Sequence, residues 1–182
     1  MARITLAVTG SISAYKAADL TSQLGKLGHF VTILMTDAAT QFITPLTLQA
    51  LSKNLVHTDV MVEEKPNSIK HIDLAKQTDL FLVAPASAQT IAKLAHGFAD
   101  NIVTAVALAL PATTPRLIAP AMNTNMYQNP ATQENLQRLQ GYGFVEIPPR
   151  NALLTCGDVG TGALATVDVI LEKVSKTLHE TN

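Results

Sequence analysis

No tryptophan occurs in this sequence, and aromatic residues make up only 4% of it. Few flat side chains are therefore on hand to stack nucleobases or to wall a sugar cleft, which disfavours nucleic-acid and carbohydrate binding. Cysteine is just as scarce. Cys156 stands alone, cannot close an internal disulfide, and as an unpaired thiol fits a reducing compartment. Charge is sparse too, with 15% charged residues and a net charge of -1, so nothing in the balance points to nucleic acid or a membrane surface. No apolar run approaches the length of a transmembrane helix, and the apolar segment after Met1-Ala2-Arg3 lacks a signal-peptide cleavage pattern, so the expected compartment is the cytoplasm. Neither a GxGxxG fingerprint nor a Walker A loop is present, which argues against NAD and ATP. HExxH, CxxC and GxSxG are missing as well, and metal or serine-hydrolase chemistry is correspondingly weak.

What is there is an apolar chain, 47% hydrophobic over 182 residues, long enough for one continuous core and short for two. Residues 1–182 are expected to form one domain. Ile4 to Val8 is a short apolar run ended by Thr9-Gly10, Ser13 to Lys26 has apolar residues at helical spacing, and Phe30 to Met35 is β-rich. That is a βαβ unit with parallel strands. The pattern recurs: Asp79 to Ala84 is a buried strand that Pro85 is expected to end, followed by a helix over Ala88 to Ala95. Arg116 to Ala119 and Phe144 to Ile147 are further strands, while Ala131 to Gln140 and Val167 to Leu178 are helices. Asp100 to Leu110 is so apolar that a helix buried on several sides is predicted. Strands alternating with helices, each strand a continuous apolar run, predict an α/β fold: a doubly wound, Rossmann- or flavodoxin-like parallel sheet in three α/β/α layers. Asn54 to Ile69 and the Gly-rich Pro148 to Ala165 show no clear periodicity and suit functional covers or interfaces.

In such folds ligands sit beyond the carboxyl ends of the strands. Thr9-Gly10-Ser11-Ile12-Ser13 falls there, where a glycine turn, hydroxyls and free N–H groups at a helix start can hold a phosphate; read alone, it is equally an ordinary Ser cap. Thr36, the Pro85 to Thr90 segment and Pro120 to Asn123 occupy three more strand ends, where turn chemistry alone is an alternative. Cys156 lies in a stretch with Gly157, Gly160 and Gly162, fit either for a mobile cover or for an inert small side chain. Among the histidines, His29, His96 and His179 have structural explanations. His57 and His71 are less easily dismissed, and His71, near Lys70 and Asp73, is a candidate general base or a surface histidine.

Taken together, Gly10-Ser11-Ile12-Ser13, His71-Ile72, Ala84 to Thr90, Pro120-Ala121-Met122-Asn123-Thr124-Asn125-Met126 and Cys156-Gly157 resemble the flavin-containing cysteine decarboxylases in order and spacing across nearly the whole chain. The PxMNxxM segment is the most specific of these. The resemblance implies FMN as cofactor, lined by Gly10, Ser11, Ile12, Thr36, Ser87, Ala88, Gln89, Thr90 and Ala121. It implies His71 as the active-site base, Asn123 as the holder of the substrate carboxylate with Met126 beside it, and Cys156 as the last proton donor. The implied reaction is the conversion of 4'-phosphopantothenoylcysteine to 4'-phosphopantetheine in coenzyme A biosynthesis. The resemblance further implies a homo-oligomer built of trimers, with His71 acting on flavin held by a neighbour, and a ligase on a separate chain.

The chemistry of that reaction suits these residue types. Direct loss of carbon dioxide would leave a carbanion with no group to absorb its electrons. Oxidation of the carbon bearing sulfur first gives a thioaldehyde, after which decarboxylation puts the charge on sulfur as an enethiolate. A histidine exchanges protons near neutrality, an amide holds a carboxylate without a fixed positive charge, and a thiol can protonate carbon. Two positions depart from the family pattern: Tyr127 stands where Trp is usual, and Ala163 occupies a region where Arg is common. A peptidyl-cysteine decarboxylase would not need Cys156, a flavin prenyltransferase would not need Asn123 with Cys156, and a non-catalytic regulatory subunit would not need to keep these residues.

Overall fold

A computed structural model describes residues 1–63, 66–155 and 157–181 of the chain. Six parallel strands form the central sheet in the order β3-β2-β1-β4-β5-β6: β1 (Arg3–Val8), β2 (Phe30–Met35), β3 (Val56–His57), β4 (Leu80–Ala86), β5 (Arg116–Pro120) and β6 (Phe144–Glu146). Along β1 and β4 the side chains divide by parity. Ile4, Leu6, Val8, Leu80, Leu82 and Ala84 join one buried cluster, and Ala7, Phe81 and Val83 the other. Both faces are thus covered, which is why these strands read as unbroken apolar runs.

One face carries α1 (Lys16–Lys26) through Ala17, Leu20 and Leu24, α3 (Pro45–Ser52) through Leu48, and α9 (Val167–Thr181) through Ile170 and Val174. The other carries α4 (Lys70–Lys76), α5 (Ala88–Ala95), α6 (Ile102–Ala109) and α8 (Pro130–Gly141), contributing Ala75, Ile91, Val103, Val106, Leu136 and Leu139 among others. The expected buried helix is α6: Ile102 to Ala107 are all buried. Its start is set by a capping box, in which the Asn101 side chain accepts from the Thr104 N–H at 3.2 Å and Thr104 Oγ1 accepts from the Asn101 N–H at 3.3 Å. None of the helices among the described residues is long and apolar enough to cross a membrane.

The structure adds detail where periodicity was silent. The helix expected from Ser13 begins as a 3-10 turn over Ile12–Tyr15 before α1, and two short elements, α2 (Asp37–Thr40) and α7 (Thr124–Gln128), follow the exits of β2 and β5. Strand β4 runs through Pro85 to Ala86 rather than ending at Ala84. Pro lacks an N–H, yet its carbonyl still accepts from the Thr9 N–H at 3.3 Å, so the proline does not end the pairing. The Pro148 to Ala165 stretch holds an antiparallel hairpin, β7 (Arg150–Leu153) with β8 (Val159–Ala163). The order 3-2-1-4 places a topological switch between β1 and β4, and a crevice opens beyond their carboxyl ends.

Candidate active site

Hydroxyl groups tie the strand exits together. Thr9, fully buried, donates from Oγ1 to the Pro85 carbonyl at 2.7 Å and accepts from the Ser87 N–H at 2.8 Å, joining β1 to β4. Ser11 Oγ donates to the Ala121 carbonyl at 3.1 Å and accepts from the Ser13 N–H at 3.3 Å, joining β1 to β5. Replacing Thr9 with Val would take the side-chain partner from the Ser87 N–H and leave the Pro85 carbonyl only its bond from the Thr9 N–H, at a cost of about 1–3 kcal/mol. Gly10 is required by proximity, since a Cβ there would sit 2.5 Å from Ala38 Cβ.

These exits wall a cavity of about 420 Å³, lined by the Gly10 to Ser13 turn, Ser87, Ala88, Ala121, Met122, Asn123 and Met126. Gly10, Ser11, Ile12, Ser87, Ala88, Ala121, Asn123 and Met126 are therefore brought together as the sequence predicts. Thr36, Gln89 and Thr90 are not among the lining residues. Thr36 Oγ1 instead caps α2 by accepting from the Ala39 N–H at 3.3 Å, and Thr90, 5% exposed, accepts at Oγ1 from Ser87 Oγ at 3.2 Å. Thr155, Gly162 and Ala163 of the Gly-rich stretch join the wall, and Tyr15, Lys16, Phe42, Arg150, Leu153 and Leu154, which no motif picked out, complete it.

Asn123 is the N-cap of α7. Its Oδ1 accepts from the Asn125 N–H at 2.8 Å, which leaves Nδ2 as a donor toward Asp158 Oδ2 at 3.1 Å. Asp158 belongs to the turn in which the Leu154 N–H donates to the Asp158 carbonyl at 2.7 Å and the Gly157 N–H to the Leu154 carbonyl at 2.9 Å. Cys156 itself lies outside the described residues. The hairpin rests directly on the Met122 to Thr124 backbone, with the Met122 N–H donating to the Gly162 carbonyl at 2.9 Å. A Cβ on Gly160 would lie 2.4 Å from Thr124 Oγ1, and one on Gly162 2.3 Å from the Met122 carbonyl oxygen. The glycines admit this contact, a use that only the three-dimensional neighbour reveals.

His71 sits in the first turn of α4 and does not line the cavity; its Nδ1 is buried and finds no hydrogen-bond partner among the described residues. Two residues before it, at the N-cap of α4, Ile69 is 56% exposed. Tyr127, where the family pattern has Trp, ties α7 to β6: its hydroxyl donates to Glu146 Oε1 at 2.8 Å, and Gln133 Nε2 donates to its carbonyl at 2.6 Å. Burial, reinforced by the Glu146 carboxylate, pushes the Tyr127 hydroxyl up to about 12. A raised folded-state value favours the neutral phenol, so its stabilisation is complete below about pH 10, the free tyrosine value, and is lost as pH rises toward 12. The expected result is that wild type melts above Tyr127→Phe at pH 8 by the equivalent of about 1 kcal/mol, discounted for partial exposure, and that this gap closes between pH 10 and 12. A gap that stays constant in thermal melts over that range would show that the hydroxyl makes no such bond.

The flavoprotein family model matches residues 1–179. A probable phosphopantothenoylcysteine decarboxylase from Streptococcus mutans is 62% identical over 97% of this chain and 98% of its own. A bifunctional coenzyme A biosynthesis protein from Bacillus subtilis is 45% identical over 97% of this chain, which spans only 43% of that protein. Among solved structures, a PPC decarboxylase mutant complexed with pantothenoylaminoethenethiol superposes with a TM-score of 0.91 at 32% identity, covering 98% of each chain. An FMN-binding protein superposes at 0.87 and 32% identity, covering 98% of this chain and 97% of its own. The chain belongs to the flavoprotein family, and a flavin is its cofactor. Within that family its kinship is with the phosphopantothenoylcysteine decarboxylases, enzymes of coenzyme A biosynthesis.

Proposed function

We propose that this chain decarboxylates 4'-phosphopantothenoylcysteine to 4'-phosphopantetheine with FMN held beyond the ends of β1, β4 and β5. The observation that carries the reading is the Asn123 amide, fixed as a helix cap, lining the same cavity as the Gly10 to Ser13 turn and already holding a carboxylate, that of Asp158. A substrate carboxylate suits the same donor.

The cavity fits a flavin. Gly10 lets the turn lie close against α2, Ala88 and Ala121 present small side chains to a flat ring, and the turn's N–H groups suit one phosphate. The Gly10 to Ser13 turn, Ala88 and Ala121 would hold the flavin, which would supply reversible hydride acceptance to a reaction with no net redox change. Asn123 would orient the carboxylate, and His71 would take up the proton lost on oxidation. Cys156 would deliver a proton to carbon at the end. His71 does not line its own chain's cavity, its Nδ1 has no partner among the described residues, and Ile69 two positions before it is exposed, so it would serve the flavin of a partner protomer in a trimer-based assembly.

Purified protein reconstituted with flavin should release carbon dioxide from synthetic substrate, and heat should free FMN rather than FAD, because the cavity wall includes one phosphate turn among the described residues. Recovery of FAD by chromatography would defeat the FMN assignment. Absence of carbon dioxide would defeat the reaction.

A further inference from the structure

Two cations line the cavity, Lys16 and Arg150, and no carboxylate joins them among the lining residues. Lys16 opens α1 directly after the 3-10 turn, and Arg150 opens β7. Outside the cavity, Lys93 pairs with Asp100 and Lys176 lies 3.9 Å from Glu180. Neither Lys16 nor Arg150 has such a counter-ion among the described residues. Arg150 Nε donates to the Leu164 carbonyl at 3.1 Å, which spends one N–H on orienting the guanidinium and leaves the terminal amino groups of the fork for another acceptor. Burial, and then repulsion from Arg150, holds the Lys16 ammonium below its ordinary value.

Like charges gathered at one pocket without a counter-ion disfavour each other until an anion arrives, and a doubly charged phosphomonoester relieves both at once. A planar guanidinium grips phosphate oxygens in a bidentate way and an ammonium adds a point charge, so the pair suits phosphate better than a single carboxylate. The other anionic group of the proposed substrate has its own donor at Asn123, the Nδ2 amide. We propose that Lys16 and Arg150 form the phosphate subsite of this cavity, taking the terminal phosphomonoester of the substrate while the Gly10 to Ser13 turn takes that of the flavin. The assignment rests on the substrate proposed above.

The test compares 4'-phosphopantothenoylcysteine with pantothenoylcysteine, which lacks the phosphate, in wild type, Arg150→Gln and Lys16→Gln, alongside FMN titration by fluorescence. Wild type should prefer the phosphorylated substrate in kcat/KM. Each substitution should lower that preference roughly ten- to hundredfold, the worth of a hydrogen bond to a charged group, with FMN affinity held within about twofold. Arg150→Lys should restore part of the preference. A preference that survives both substitutions, or an equal loss on both substrates, overturns the subsite. Weakened FMN binding overturns it too, by giving these cations to the flavin phosphate. Wild type that uses both substrates equally well defeats the subsite alone, whereas wild type that decarboxylates neither defeats the proposed reaction with it. If Lys16→Gln fails to fold, the exposed Arg150 decides the question.

Discussion

His71→Asn is expected to leave flavin bound while lowering turnover by about two to four orders of magnitude, the range general acid–base catalysis supplies. The substitution removes a proton acceptor and roughly keeps side-chain size, and His71 does not line the cavity of its own chain, so cofactor retention should not suffer. Flavin absorbance after gel filtration reads the first expectation and carbon dioxide release the second. A variant that keeps wild-type turnover would remove His71 from the mechanism. Because the residue is assigned to a partner's flavin, mixing gives a sharper result. His71→Asn chains and Ser11→Trp chains, the latter blocked at the flavin turn, should each be inactive alone and regain partial activity when coassembled. Mixed assemblies of verified composition that remain inactive would count against a shared site.

Cys156→Ser should divide the reaction in two. The substitution keeps the side chain small but exchanges a thiol for a hydroxyl, a far weaker acid and so a poor proton donor to carbon. Carbon dioxide should still be released under anaerobic single-turnover conditions, and the flavin should bleach. The product should be the enethiol, lighter than 4'-phosphopantetheine by two hydrogens in mass spectrometry. Saturated product formed at the wild-type rate would show that Cys156 is not the donor. The experiment also separates this chain from a peptidyl-cysteine decarboxylase, for which the enethiol is the end of the reaction.

Much of the frame was legible in the sequence because its signals are local. A strand buried on both faces must be apolar at every position, as Leu80 to Ala84 are, and a helix buried on most sides must be apolar all round, as Ile102 to Ala107 are. The Gly10 to Ser13 turn and the Asn123 segment announced themselves by residue type at the points where strands end. The hairpin β7–β8 escaped because Gly160 and Gly162 depress strand propensity, and what favours them there is the backbone and side chain of the Met122 to Thr124 segment, far away in the chain. Thr36 and Thr90 matched the family pattern in kind, but the fold sets both hydroxyls to holding backbone and Ser87 rather than to lining the cavity.

The amino-acid sequence by itself determined the parallel α/β layers and the family, and it named the candidate reactive groups, since hydrophobic period, turn chemistry and motif spacing are properties of neighbouring residues. Tertiary structure alone decided which of those groups share a cavity. Lys16 from the start of α1 and Arg150 from a hairpin that rests on the Met122 to Thr124 segment line one cavity, whereas His71, in the first turn of α4, does not line it. Charge repulsion, steric contact and a missing counter-ion act across space, and no window along the chain contains both partners.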